Sequence, residues 1–207
     1  MNIDIIVFDF ETGGRNPHSC QATQLAAIAL DGRNFKLKGT FNSEIWAETN
    51  DEKAVEKNLG PIEDGALKVT GKTREEIAKA PKPKAVWSKF CNFVNKYNWK
   101  GTPFFAPIPA GYNIIGYDMV LVNRFCKNYG PWDESRQCQK IFSQVYKVDM
   151  MDNYWMWTEG DPSIKTRSMD SIRERMGMST ENAHDALQDV KDTANLMIKF
   201  MKTHRAV

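Results

Sequence analysis

The sequence predicts an α/β domain. Apolar, β-branched runs near its start form three short strands joined by tight turns, and strand and helix patterns then alternate. Of its 207 residues 42% are hydrophobic, with no long shift in composition and no internal repeat, which is enough apolar material for one sizeable core. Residues 1–207 are therefore read as a single domain.

The expected strands lie near residues 3–10, 24–31 and 35–42, with Asp31-Gly32 turning the chain between the last two. The first, Ile3-Asp4-Ile5-Ile6-Val7-Phe8, is short and β-branched, as a buried strand requires. Thr73-Arg74-Glu75-Glu76 has the form of a capping box opening a short helix that Pro81-Lys82-Pro83 ends. Residues 84–98 carry Val86, Trp87, Phe90, Phe93, Val94 and Tyr97 at helical spacing. A strand interrupted by Pro107 or Pro109 leads to Asn113, and after a glycine-bearing turn a helix opens at Tyr117 or Asp118 and runs to about Asn128. Tyr146-Lys147-Val148 is the candidate last strand. Beyond it the chain reads as helical. Asn153-Tyr154-Trp155-Met156-Trp157 is expected to pack into the core rather than serve as a platform for bases. The final helix, to about Lys202, has a core stripe of Leu187, Val190, Ala194, Met197 and Met201.

Composition excludes several classes. A formal net charge of +2 permits phosphate contacts but is far from that of a nucleic-acid coat protein. Most of Lys68, Lys72, Arg74, Lys79, Lys82, Lys84 and Lys89 read as a solvated helical face. Cys20, Cys91, Cys126 and Cys138 form no close pair, which fits reduced thiols better than a zinc site or a disulfide framework. No run reaches transmembrane length and no basic region precedes the first apolar stretch, so neither a signal peptide nor a membrane anchor is expected, and a cytoplasmic location is. Gly111 to Gly116 is not a P-loop, because Tyr117 and Asp118 stand where lysine and serine or threonine are required.

Three clusters remain that could carry chemistry. Asp9 and Glu11 extend the first strand and, at period two, point to one face while Phe8 and Phe10 take the other. Two such carboxylates repel unless a cation lies between them, and hard oxygen donors suit magnesium or manganese. The same pair also fits a strand surfacing into the turn Thr12-Gly13-Gly14. Asp118 equally fits an N-cap. His184 and Asp189 enter the last helix, where a surface histidine and a carboxylate favoured by the helix dipole would serve as well.

Together, Phe8-Asp9-Phe10-Glu11-Thr12-Gly13, Gly111-Tyr112-Asn113 with Asp118, and His184-Asp185-Ala186-Leu187-Gln188-Asp189 resemble the DEDD exonucleases, in their histidine-bearing DnaQ-like branch. Fainter echoes in Gln24–Ala29, Val69–Thr73 and Val148-Asp149 extend the resemblance over almost the whole chain. Tyr112 stands where many relatives have histidine, a departure that bears on substrate fit rather than chemistry. The resemblance implies a ribonuclease-H-like fold, a mixed five-stranded sheet flanked by helices. It implies a 3′-5′ exonuclease, DNA favoured, that releases nucleoside 5′-monophosphates. Asp9, Glu11, Asp118 and Asp189 would hold two divalent ions, Mg2+ or Mn2+, with His184 as general base. Backbone at Phe10, Thr12 and Gly13, with Asn113, would border the terminal nucleotide. The partners implied are single-stranded or frayed 3′ ends and a DNA polymerase in proofreading. An exoribonuclease and a non-catalytic polymerase or nucleic-acid adaptor are the rival expectations, the latter opposed by the filling of all five positions.

Overall fold

The computed structural model of the chain describes residues 3–179 and 185–205. Strands β1 (Ile5–Thr12), β2 (Ala22–Leu30) and β3 (Leu37–Glu44) form an antiparallel meander. Helices α1 (Asp51–Glu56), α2 (Asp64–Thr70), α3 (Arg74–Lys79) and α4 (Pro83–Asn95) lead to β4 (Ile108–Gly111) and α5 (Asp118–Tyr129). A small hairpin of β5 (Trp132–Asp133) and β6 (Cys138–Gln139) follows, then β7 (Val148–Asp149), α6 (Met150–Thr158), α7 (Met169–Arg175) and α8 (Ala186–Arg205). Among the described residues the main sheet is mixed and five-stranded, in the order β3-β2-β1-β4-β7, with β4 parallel to both β1 and β7. This is the expected ribonuclease-H-like arrangement.

Alternation along β1 divides the core in two. Ile6, Phe8 and Phe10 pack with Trp87, Phe90, Leu121 and Phe125 from α4 and α5. Ile5 and Val7 face the other layer with Val190, Ala194 and Met197 of α8. Every residue of β2 is buried, as a strand covered on both faces requires. The stripe expected on α8 holds: Val190, Ala194 and Met197 are buried, with Leu187 and Met201 packed beside them. The Thr73–Glu76 capping box is complete, each side chain bonding the other's backbone N–H.

Pro109 lies inside β4 without breaking it. The Ile108 N–H donates to Asp4 on the β1 side, so the Pro109 nitrogen points away from β1, where pairing with β7 starts only at Ala110. No hydrogen bond is lost there. Two expectations are corrected. The last strand is only Val148–Asp149, and Tyr146 stays exposed before it. On α6 only Tyr154 of the aromatic run is buried, while Trp155, Met156 and Trp157 are 53%, 59% and 43% exposed. Five consecutive large residues wrap the helix, whereas one stripe faces the core, and Met150 with Tyr154 fills it. The four cysteines are free thiols, and no described helix is long and apolar enough to cross a membrane.

Candidate active site

β1 outruns one of its neighbours. Its pairing with β2 continues to Thr12, but its pairing with β4 stops at Val7. Asp9 and Glu11 thus lie on a strand end open on one edge, on the face that α8 crosses. Asp185 fixes where α8 begins, its Oδ1 accepting the N–H groups of Leu187 and Gln188 and its Oδ2 a bond from Gln24 of β2. Asp189 then falls in the first helical turn. Carboxylate oxygens of Asp9, Glu11 and Asp189 all lie within 4.8 Å of one another.

Asp118 approaches from the opposite flank. It opens α5, is 3% exposed, and its Oδ1 accepts the N–H of Phe10 at 3.0 Å on the edge that β4 leaves free. It is not an N-cap, since Tyr117 occupies that position. The loop before it is held by Asp149, whose carboxylate accepts the amides of Asn113 at 2.9 Å and Ile115 at 3.0 Å. Asn113 is left-handed there, with φ 58°, a conformation asparagine tolerates. The structure therefore converges Asp9, Glu11 and Asp189, and anchors Asp118 on the next residue of the strand; His184 lies outside the described residues.

The electrostatics follow from crowding. Asp9 is pushed up to about 7, by burial first and by the Asp189 charge second, with Arg173 partly offsetting both. Glu11 is pushed up to about 9 by burial and then by Asp9 and Asp189, against the pull of Lys72. Burial and the Asp9 charge also raise Asp118 well above the usual range, and the Phe10 amide opposes them. Such a group cannot be fully ionised at neutral pH without added positive charge. Its donors are hard oxygens, so a divalent cation of the magnesium or manganese type fits it.

The residues expected beside the nucleotide are partly committed elsewhere. The Phe10 ring is in the core and its amide is held by Asp118. Gly13 donates to Gln21 and accepts from Glu63, both at 2.8 Å, and a Cβ on it would meet Ile62 at 2.3 Å. It serves close packing rather than donation to a ligand. Thr12 Oγ1 and the Tyr117 hydroxyl are 2.6 Å apart, both within reach of the Gly14 carbonyl. They border an open cleft of about 360 Å³ that adjoins Glu11 and is walled by Arg15, Ala66 and Val69. A larger cavity of about 1110 Å³ lies at the other end of β1, between Ile5, Phe104, Ile108 and Tyr146, and no carboxylate lines it. The smaller cleft is the one with chemistry beside it.

Sequence reasoning missed three residues. Lys72, assigned to a solvated face, pairs with Glu44 at 2.8 Å and is the cation that offsets Glu11. Asp149 was visible only within a faint echo. Arg173 gave no signal beyond its i, i+3 spacing from Asp170.

The exonuclease family model, RNase_T, matches residues 6–197. No curated protein matches the chain. Among solved structures, Escherichia coli Exonuclease I in complex with a dT13 oligonucleotide superposes with a TM-score of 0.72 at 19% identity, over 95% of this chain and 40% of that one. A second exonuclease I structure gives 0.73 at 20% identity, over 97% and 41%. The zinc-bound form of the E. coli ExoI–ssDNA complex gives 0.69 at 19%, over 100% and 42%. This chain thus spans about two fifths of those proteins' length. With the family matched over nearly all of its length, the chain belongs to the exonuclease family, in the DnaQ-like branch of the ribonuclease-H-like superfamily.

Proposed function

We propose that this chain is a metal-dependent 3′-5′ exonuclease acting on single-stranded or frayed DNA ends. One observation carries the reading: the convergence of Asp9, Glu11 and Asp189 at the open end of β1. Asp118, anchored on the adjacent residue, completes a set of four carboxylates for two divalent ions, Mg2+ or Mn2+. Bound there, such ions supply Lewis acidity, a more acidic water and a clamp on both reacting oxygens. The chain's own part is to hold those ligands rigidly and to seat the last nucleotide. The cleft beside Glu11 takes that nucleotide against Val69, with Thr12 and Tyr117 as polar contacts. His184, as a neutral imidazole, accepts the proton of the attacking water. The products are a nucleoside 5′-monophosphate and a strand one residue shorter with a new 3′-hydroxyl.

DNA is favoured because E. coli Exonuclease I, which shares the fold, is seen with a dT13 oligonucleotide. The zinc-bound ExoI–ssDNA complex supports cation binding in this fold. A cytoplasmic proofreading role beside a DNA polymerase rests on family resemblance, and co-purification with a polymerase tests it.

The deciding experiment compares 5′-labelled single-stranded DNA, duplex DNA and RNA with Mg2+, Mn2+ and chelator. Single-stranded DNA should shorten as a ladder, stop in chelator and resume with either ion. Undiminished activity in excess chelator would falsify the metal assignment. Faster loss of RNA would make the chain an exoribonuclease, and equal cleavage of a closed single-stranded circle an endonuclease.

A further inference from the structure

Arg173 on α7 is completely buried, and each nitrogen of its guanidinium meets a different carboxylate. Nη2 donates to Asp189 Oδ1 at 2.6 Å, Nε to Asp192 Oδ2 at 2.8 Å, and Nη1 to Asp170 Oδ1 at 3.0 Å. Only Asp189 belongs to the converged trio. Asp192 is itself buried and its other oxygen accepts from Gln188 at 2.8 Å, while Asp170 lies on the same helix as the arginine. The neighbouring Ile172 is 0% exposed and seats α7 in the core layer beneath the sheet.

A guanidinium is planar, and its donors leave in fixed directions. With two arms held by Asp170 and Asp192, the third is aimed and cannot swing. Neutralising charge would not require this arrangement, because Lys72 offsets Glu11 without a fork. We infer that Arg173 is a positioning residue for Asp189: it sets the carboxylate at the metal site before a cation arrives, using Asp170 and Asp192 as its own anchors. The inference rests on the metal reading above.

The test measures Mn2+ binding by calorimetry without nucleic acid. Removing Arg173 alone would strand the buried Asp192 charge, so the variant is Arg173→Met with Asp192→Asn, and Asp192→Asn alone is the control. The control sets the baseline for the other variants, because its amide oxygen can still accept from Arg173 Nε. The double variant should keep the parent's circular dichroism and melt lower in chelator for want of the Asp189 bond, yet as a folded protein bind Mn2+ about 10–100-fold more weakly than the Asp192→Asn control, the usual effect of losing a partner behind a metal ligand. Arg173→Lys with Asp192→Asn keeps the charge without the fork and should also bind weakly; parent-like affinity there would reduce Arg173 to a counter-charge and overturn the inference. Equal or tighter binding by the methionine variant would overturn it too. Should that variant fail to fold, Asp170→Ala with Asp192→Leu decides, because it removes both acceptors and an unanchored Arg173 should weaken Mn2+ binding, whereas parent-like affinity would refute the role. A parent that binds no Mn2+ overturns the metal reading itself, a result distinct from a parent that binds and variants that bind equally.

Discussion

Asp118 and Asp189 reach the same strand end from opposite sides of the sheet, and they are restrained by different chemistry. On the α5 flank Asp118 is held by a neutral backbone amide that exists because β4 stops pairing at Val7. On the α8 flank Asp189 is held by a buried cation. An amide fixes an oxygen without neutralising it and offsets only part of the cost of burial, so Asp118 is still pushed well above the usual range. The Arg173 charge, by contrast, reaches past Asp189 to lower Asp9. A strand that outruns its neighbour offers a ready anchor for a ligand, whereas a helix surface must supply a side chain from elsewhere.

The centre shared by both flanks gives the largest expected effect. Asp9→Ala and Glu11→Ala should each reduce nuclease turnover to background in a labelled-strand assay while circular dichroism stays that of the parent; near-normal turnover removes that residue from the ligand set. The flanks separate in the next pair. Asp118→Asn keeps an oxygen for the Phe10 amide, so turnover should vanish while thermal stability in chelator is kept or raised. Asp189→Asn should also stop turnover, but it weakens a charge-assisted bond and should lower stability by about 1–3 kcal/mol. Equal stability changes in the two variants would erase the distinction between the flanks.

His184→Ala tests the proposed base: it should slow turnover about 10²–10⁴-fold and leave Mn2+ affinity near the parent's. The parent's rate should rise with pH through the histidine's ionisation and then level, and the variant should lose that inflection. A variant that keeps both the rate and the inflection places the proton acceptor elsewhere.

The smallest effect is on stability against pH. Asp9 near 7 and Glu11 near 9 lie above their ordinary values of 3.8 and 4.5, so the folded chain holds more protons than the unfolded one between those limits. Stability therefore falls as pH rises through that window. In chelator the melting temperature should decline as pH rises from about 5 to about 9, and Mg2+ should flatten the decline. A flat profile in chelator would mean that Arg173 and Lys72 already neutralise the cluster.

What the residues determined by themselves is what depends on short repeats along the chain. Period two placed Asp9 and Glu11 on one face of β1 and the phenylalanines on the other; period 3.6 placed Val190, Ala194 and Met197 inward; and a four-residue box began α3. The three acidic motifs carried a resemblance to the family that matches over residues 6–197, while His184 lies outside the described residues and its role as base is a proposal. Tertiary structure decided the rest. Whether Asp118 caps its own helix or binds a distant strand depends on which amide β4 leaves unpaired, over 100 residues away in sequence terms from Phe10 to Asp118. Whether the aromatic run on α6 is core or surface depends on how wide a stripe the sheet can cover. Lys72 and Arg173 look like any other cations in sequence, and only the docking of chain segments gives one a carboxylate to offset and buries the other among three. A hydrogen bond or an ion pair between distant segments has no period, so it leaves no pattern to read.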